Sequence, residues 1–412
     1  MNSDIAPPNS AAILPPKCAA DLRIALCCWL LSNVVVLAAV WIGVKRLPSA
    51  DWKPPGRRTY LEAMLTWDGD SYRSIAKSGY RYQPHHNSNI AFFPVYPLAS
   101  LDLALLTGSS IDVALVVVSN LCFAAALMIL SGYCRHRWPA APERLHWLVV
   151  LACALFPAGC FFHMAYSESC FLLLSVIAFY GVARRWPLAV MASIVGLATA
   201  ARPTGVALLA PLALYIGHRR PSMRSRLLAL AVWLPLGCWG LAAYMAYQEV
   251  AFGNPLAFAD AQATWRIRPP VPLSEKLLAL GTLEPLRAVY MPASPAYWGR
   301  WGGSWPLNWQ FANPLFFMTV WGLVAVGWRR RWLSSAETSF SLLLMLIPYL
   351  TRGYEMGMGS MGRFVSVAFP IYIVLGHLLA RAPKWAIVVA FGIAAFYLAA
   401  FSALFAARNP VF

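Results

Sequence analysis

The chain has 412 residues, of which 60% are hydrophobic and 12% charged, with a formal net charge of +17. A soluble domain carries about 25% charged residues, so the long apolar stretches face lipid, and a water-wrapped globular core is excluded. The basic residues form short clusters between apolar runs, as in the loops of a multi-pass membrane protein; no nucleic-acid partner is expected.

Residues 1–22, rich in Pro and Ala, read as a disordered segment, and 23–412 as one integral membrane domain. A span needs about 20 apolar residues. Helices are predicted near 23–44, 112–133, 147–165, 168–183, 187–201, 205–217, 227–248, 311–328, 338–351, 364–380 and 385–406, about eleven in all. The fold class is therefore all-α and polytopic. Most of the nine cysteines lie inside apolar runs, which suits small membrane-helix residues better than a disulfide framework.

The basic clusters give the topology. Arg135, Arg137 and Arg144 fall in one loop, Arg184 and Arg185 in the next but one, then Arg219, Arg220, Arg224 and Arg226, then Arg329 to Arg331, and last Arg381 and Lys384. Every second loop is basic, so these five loops are expected in the cytoplasm. The segments "FHMAYSES", "ARPTG", 249–310 and "TRGYEMGMGSMGR" then share the other face.

The first loop breaks this pattern. Residues 45–90 hold eight Lys or Arg against four Asp or Glu, yet eleven spans place them outside. A span over 91–107 would return the loop to the cytosol, but Pro94, Pro97 and Asp102 make that segment a poor one. The alternative is that bases kept on the wrong side bind an anionic lipid phosphate. Residues 58–66 and 71–80 are then interfacial helices within a catalytic first loop over 45–110.

That loop contains "LTWDGDSYRSIAKSGY", residues 65–80. Asp68 and Asp70 fit a helix cap, a general base acting on an acceptor hydroxyl, or a carboxylate pair holding Mn²⁺ or Mg²⁺. Tyr72, Ile75, Ala76 and Gly79 recur at helical spacing, with Arg73 and Lys77 as a basic pair on another face. Those two bases suit either headgroup anchoring or a substrate phosphate. His85 and His86 read as solvated loop residues.

Further along, Glu168 opens an apolar run, where an acid is costly and usually faces a cavity or caps a helix. His163 and Arg202 are each open to donor-phosphate contact or to interfacial packing and snorkelling. Arg363, where a Gly-rich loop enters a helix, is open in the same way. The large non-cytoplasmic loop 249–310 alternates Trp265, Arg266, Arg268, Trp298, Arg300, Trp301 and Trp305, a set suited to stacking on a sugar or to an interfacial aromatic belt.

Several of these blocks together carry a resemblance. "WDGDSYRSIAKSGY" resembles the Trp-Asp-Gly-x-x-Tyr-x-x-Ile-Ala-x-x-Gly-Tyr signature of the PIG-V mannosyltransferases. "AFFPVYPL", "FFHMAYSESCFLLLS", "AARPTGV" and "FGNPLAFADAQATW" are similar to later blocks of that family, in the same order, and "GSMGRFVSVAFP" more loosely to a late Arg-containing one. The resemblance implies a GT-C bundle with its site facing away from the cytosol, and a polyprenyl-phosphate-linked sugar, mannose, as donor. It implies transfer to a lipid or glycan acceptor with inversion, and Asp68 as the base. Arg73, Lys77, His163, Glu168, Arg202 and Arg363 become candidates for donor or phosphate binding. Trp67, Tyr72, Tyr166, Gln262 and Trp265 become candidates for the sugar site. The family pattern leaves the position of Asp70 variable, so a metal pair gains nothing from it, and no cofactor is expected. The 252–265 block resembles bacterial members, which places the protein in a bacterial inner membrane with its site towards the periplasm or exterior, or in the ER membrane if the source is eukaryotic. The rival reading is a polyprenyl-lipid transporter, with the same cationic groove and no chemistry; the inverted repeats that would favour it are not seen.

Overall fold

The computed structural model describes residues 18–48, 59–84, 86–220, 222–301 and 309–409, and among them the secondary structure is helical with no strand. In chain order the α-helices are α1 Cys18–Arg46, α2 Tyr60–Met64, α3 Asp68–Ser78, α4 Val95–Thr107, α5 Ile111–Arg137, α6 Glu143–Ala154, α7 Glu168–Ala183, α8 Leu188–Ala201, α9 Leu209–Arg219 and α10 Met223–Leu236. They continue with α11 Trp239–Phe252, α12 Ala257–Gln262, α13 Leu273–Gly281, α14 Glu284–Ala288, α15 Asn313–Arg329, α16 Ser335–Pro348, α17 Met361–Ser366, α18 Pro370–Leu379 and α19 Lys384–Ala406. The first helix begins at Cys18, inside the segment expected to be disordered; residues 1–17 lie outside the described residues, as does His85.

The outer surface is apolar, as lipid requires. Along α1, Ile24, Cys28, Val36 and Val40 are buried, while Leu30, Val34 and Leu37 on the opposite side are about half exposed or more. On α19, Trp385, Val388 and Phe396 stand outward in the same way. Charged residues do not replace them on these faces, so the surface is matched to hydrocarbon.

The described residues do not form eleven unbroken helices of spanning length. Among the described residues four helices are long and apolar enough to cross a membrane: Cys18–Arg46, Ile111–Arg137, Gln310–Arg329 and Lys384–Ala406. A fifth span results if Met223–Leu236 and Trp239–Phe252, bent by 46°, are taken as one. The reason is proline. Pro157 ends the predicted 147–165 helix, and 157–162 continues as a 3₁₀ turn after α6. Pro348 gives way to a π-turn over 349–353, and Pro370 separates α17 from α18. Proline removes a helical N–H and disfavours helix in the residue before it, so each apolar run breaks into shorter pieces.

These breaks lie largely at one end of the bundle. Helix α5, 27 residues long, packs along α7, and α8 packs on α7 and α11. At the end opposite the breaks the basic loops meet one another. Arg137 reaches Glu337 at 3.1 Å, His136 Nε2 contacts the Ala183 carbonyl at 3.1 Å, and Arg219 donates to the Trp186 carbonyl at 2.9 Å. Trp332 stacks on His377 with Arg381 over its ring. The segments expected on the other face also come together, around Asp68.

Candidate active site

Helix α3 carries the site's leading acid. Tyr72, Ile75 and Ala76 recur on one face and are buried, packing α3 against α4 and α5. Gly79 ends the helix with φ +76, a conformation that costs a residue with a Cβ dearly, and its N–H closes on the Ile75 carbonyl at 2.9 Å. At the other end Trp67 has φ 62 and ψ −119, a region L-residues rarely occupy. This backbone turns the chain sharply into α3 and presents Asp68 at its first position; such strain typically costs about 1–3 kcal/mol and is held by its surroundings.

The surroundings are the 163–168 segment. The Ala165 N–H donates to the Met64 carbonyl at 3.0 Å, and Gly69 lies against Ala165. The Tyr166 hydroxyl accepts from the Asp68 N–H at 3.3 Å, and the Tyr72 hydroxyl donates to Ser167 Oγ at 2.8 Å. Thus these three hydrogen bonds fasten the 163–168 segment to the first loop.

Glu168 sits at the centre of an ion cluster. It is fully buried, and its Oε1 accepts from both Arg202 and Arg363. Arg202 also reaches Ser167 Oγ at 3.4 Å. Arg363 spends a second donor on Asp68 Oδ2, and its guanidinium lies 4.6 Å from the Tyr166 ring centre. Arg202 is brought here by the break at "ARPTG", where Gly205 passes the Ala198 carbonyl so closely that a Cβ would sit 2.4 Å from it. Arg363 is brought by α17, pinned where Asn313 Oδ1 accepts from the Gly362 N–H at 2.8 Å. An acid in apolar surroundings is tolerable only when paired in this way.

Beside the cluster opens a cavity of about 790 Å³, within the usual range for a small-molecule site. Trp67, Asp68, Asp70, Trp265, Arg352 and Arg363 line it, with a polar wall of Ser71, Ser74, Arg81, Gln83, Asn87 and Asn89. Asp68 Oδ2 is held by Arg363, while Oδ1 has no hydrogen-bond partner among the described residues and the side chain is 24% exposed. A smaller cavity of about 270 Å³, lined by Pro203, Phe258, Gln262, Arg266, Ile347 and Phe364, adjoins Arg352 as well.

The structure sorts the sequence-derived candidates. Asp68, Asp70, Trp67, Trp265 and Arg363 reach the larger cavity, and Gln262 the smaller one. Glu168, Arg202 and Tyr166 stand behind its wall. Arg73 and Lys77 line neither cavity: Arg73 binds Asp112 at 2.9 Å and Asp70 at 3.1 Å, and Lys77 binds Asp112 at 3.3 Å, so their charge goes to the acid in the first turn of α5. His163 is buried with Nδ1 3.0 Å from Asn120 Oδ1 and its ring against Phe123, away from both cavities. Tyr72 is buried against Phe92 and Tyr96 and supports Ser167 instead of meeting a sugar.

In the large loop, Arg268 clamps Glu284 with two bonds of 2.8 and 2.9 Å, and Trp298 donates to the Gly357 carbonyl at 2.8 Å. Both fasten the loop rather than line a cavity. Trp305 and the side chains of Arg300 and Trp301 lie outside the described residues. Among the described residues no group of three His, Cys, Asp or Glu stands together, and Asp68 already faces a guanidinium, so the Asp68–Asp70 pair lacks the donor set of a cation cage.

Sequence reasoning missed Arg352 and the polar wall over 81–89. Arg352 is the second residue of "TRGYEMGMGSMGR", the same segment that supplies Arg363. The wall lies in a loop whose polarity looked ordinary.

Three solved forms of an oligosaccharyltransferase from Archaeoglobus fulgidus are similar to the chain. The apo form is 13% identical with a TM-score of 0.46, covering 95% of this chain and 56% of that one. The form with zinc and sulfate is 11% identical with a TM-score of 0.39, covering 92% and 53%, and a form tethered to an acceptor peptide is 13% identical with a TM-score of 0.39, covering 92% and 55%. The chain thus spans about half the length of the oligosaccharyltransferase chains it matches. No curated protein matches the sequence. Residues 56–215 match the family model described as Mannosyltransferase (PIG-V). Asp68, the Tyr166–Glu168 turn that supports it and one of the two arginines on Glu168 all lie within the segment that matches this family model.

Proposed function

We propose that this protein is a membrane glycosyltransferase of GT-C type that moves a sugar, mannose, from a polyprenyl-phosphate donor to a hydroxyl of a lipid or glycan acceptor, with inversion. The observation that carries this reading is Asp68: a carboxylate on the wall of a polar cavity, one oxygen held by Arg363 and the other without a partner among the described residues. A general base must be oriented yet keep one oxygen for the incoming proton.

In this reading the acceptor oxygen attacks the anomeric carbon while the bond from that carbon to the phosphate oxygen breaks. The electron pair leaves with the polyprenyl phosphate, and the acceptor proton passes to Asp68 Oδ1. A single displacement inverts the configuration. The leaving phosphate gains charge, so the cation of Arg352 on the cavity wall supports the transition state. The polar wall over residues 71–89 suits a hydroxyl-rich acceptor, and Trp265 offers a face for a sugar ring.

The matched mannosyltransferase segment supports the donor class, and the basic loops gathered at the opposite end support a site on the non-cytoplasmic face: the periplasm or exterior of a bacterial inner membrane, or the ER lumen. Purified protein in lipid nanodiscs, given radiolabelled polyprenyl-phosphate mannose and a panel of acceptors, should yield a labelled product. Lipid movement across a bilayer with no transfer to any acceptor would return the transporter reading. Sidedness is tested by single cysteines in place of Tyr80 and Ser294, which should label together with an impermeant reagent; protection of position 80 alone would remove the model.

A further inference from the structure

Arg202 and Arg363 were expected to hold the donor phosphate, yet both are already answered by acids. Asp68 and Glu168 supply two negative charges, and Arg202 and Arg363 two positive ones, so the cluster is balanced. Arg352 is a further cation beside it. It forms no ion pair or side-chain hydrogen bond with the described residues, and its Nε is buried without a partner. Glu355, the nearest acid along its own turn, is taken by Lys276 at 2.6 Å.

Arg352 is held by aromatic faces instead. Its guanidinium lies 5.7 Å from the Trp265 ring centre and 5.4 Å from that of Phe364, whose ring also meets Arg202 at 5.6 Å. A ring face positions a cation while leaving its in-plane N–H donors for a ligand. Burial first, and then the charge of Arg363, push Arg352 down to about 10, so it remains a cation at neutral pH. Arg81 and Arg266, both exposed, add positive charge at the larger and the smaller cavity.

The position matters as much as the charge. Arg352 and Met356 line both cavities. On one side lies the polar cavity with Asp68. On the other, Pro203, Phe258, Ile347 and Phe364 give the smaller cavity its apolar wall area, while Thr204, Gln262, Thr351, Arg266 and Glu355 supply the polar remainder. A ligand with an anion in its middle, a polar group at one end and a hydrocarbon chain at the other matches that sequence of environments.

We propose that Arg352 is the seat of the donor phosphate, with the polyprenyl chain leaving through the smaller cavity and the sugar placed in the larger one beside Asp68. This rests on the donor class of the proposed function, and assigns to Arg352 the phosphate contact expected of Arg202 and Arg363.

The test measures binding, which needs no transfer. Full-length protein in nanodiscs is titrated with undecaprenyl phosphate and with undecaprenol, and bound lipid is counted by native mass spectrometry. Wild type should prefer the phosphate. Arg352→Gln should reduce that preference about tenfold or more, the scale of hydrogen bonds to a charged group, and Arg352→Lys should restore most of it. Unchanged preference in Arg352→Gln overturns the assignment. So does equal displacement of undecaprenyl phosphate by inorganic phosphate or phosphatidylglycerol, which would make this a general anion or headgroup site. Ala263 also lines the smaller cavity, and Ala263→Phe, which narrows it, should weaken undecaprenyl phosphate more than farnesyl phosphate; equal weakening removes the chain route. Arg352-dependent binding without transfer to any acceptor would sink the glycosyltransferase reading and leave this site standing, whereas transfer with an intact phosphate preference in Arg352→Gln would do the reverse.

Discussion

The two ends of the bundle each bury an acid against arginine, and they differ in what is left over. At the basic end Glu337 is fully buried, and both of its oxygens are filled. Tyr133 donates to Oε1 at 2.7 Å, while the Ser334 N–H, the Ser334 hydroxyl and Arg137 meet Oε2 at 2.6, 2.7 and 3.1 Å. Neither cavity reaches it. At the other end, among the described residues, Glu168 has one oxygen shared by two guanidiniums and the other without a hydrogen bond, Asp68 Oδ1 has no partner, and Arg352 holds its cation on aromatic faces. A saturated buried carboxylate is a fastening. A buried charge left partly unanswered beside a cavity is costly, and the missing partner is most simply a ligand.

Exchanging each central acid for its amide tests that contrast most strongly. Glu168→Gln and Glu337→Gln should each lower stability by about 3–5 kcal/mol, because arginines remain buried without their carboxylate. Thermal unfolding in detergent should show both losses. Only Glu168→Gln should also abolish transfer in protein kept folded at low temperature; equal loss of turnover in the two variants would erase the distinction between the ends.

Asp68→Asn should fold and bind donor yet turn over about 10²-fold more slowly or worse, since the amide keeps the shape and loses the proton acceptor. Wild-type turnover with a defined acceptor would make Asp68 another fastening. The smallest effects belong to the pairs on the flank of α3. Arg73→Ala and Asp70→Asn break partly exposed bridges worth about 1 kcal/mol or less. Donor KM should hold steady in Arg73→Ala and most activity should survive in Asp70→Asn. A large rise in KM for Arg73→Ala would restore it to the phosphate site.

The local features of the site were legible in the sequence. The helical spacing of Tyr72, Ile75 and Ala76 anticipated α3, and the expected interfacial helices over 58–66 and 71–80 correspond to Tyr60–Met64 and Asp68–Ser78. The alternation of basic loops anticipated that 163–168, 201–205, 249–310 and 351–363 would meet. The pairings were not legible, because they join residues far apart: Glu168 and Arg363 are separated by 195 positions, and Asp68 and Arg363 by 295. No local pattern says that Arg202 and Arg363 share one carboxylate oxygen and that Arg352 does not. Hydropathy also did not show where the helices break, because an apolar run looks the same whether or not the helix survives its proline.

The separation of 295 residues between Asp68 and Arg363 also sets an order of biosynthesis. As the chain emerges and enters the membrane, Asp68 and Glu168 are made first, and Arg202 follows to meet Glu168. Asp68 waits for Arg363, which arrives only when most of the protein has been translated. The last helix, α19, then packs on α1, the first. A nascent chain stopped before α17 therefore holds an acid lacking its guanidinium and an open first helix, a state that quality-control proteases can distinguish from the finished product. Translation-arrested chains ending before and after residue 363 should differ sharply in lifetime for this reason, and introducing Asp68→Asn into the shorter chain should narrow the gap.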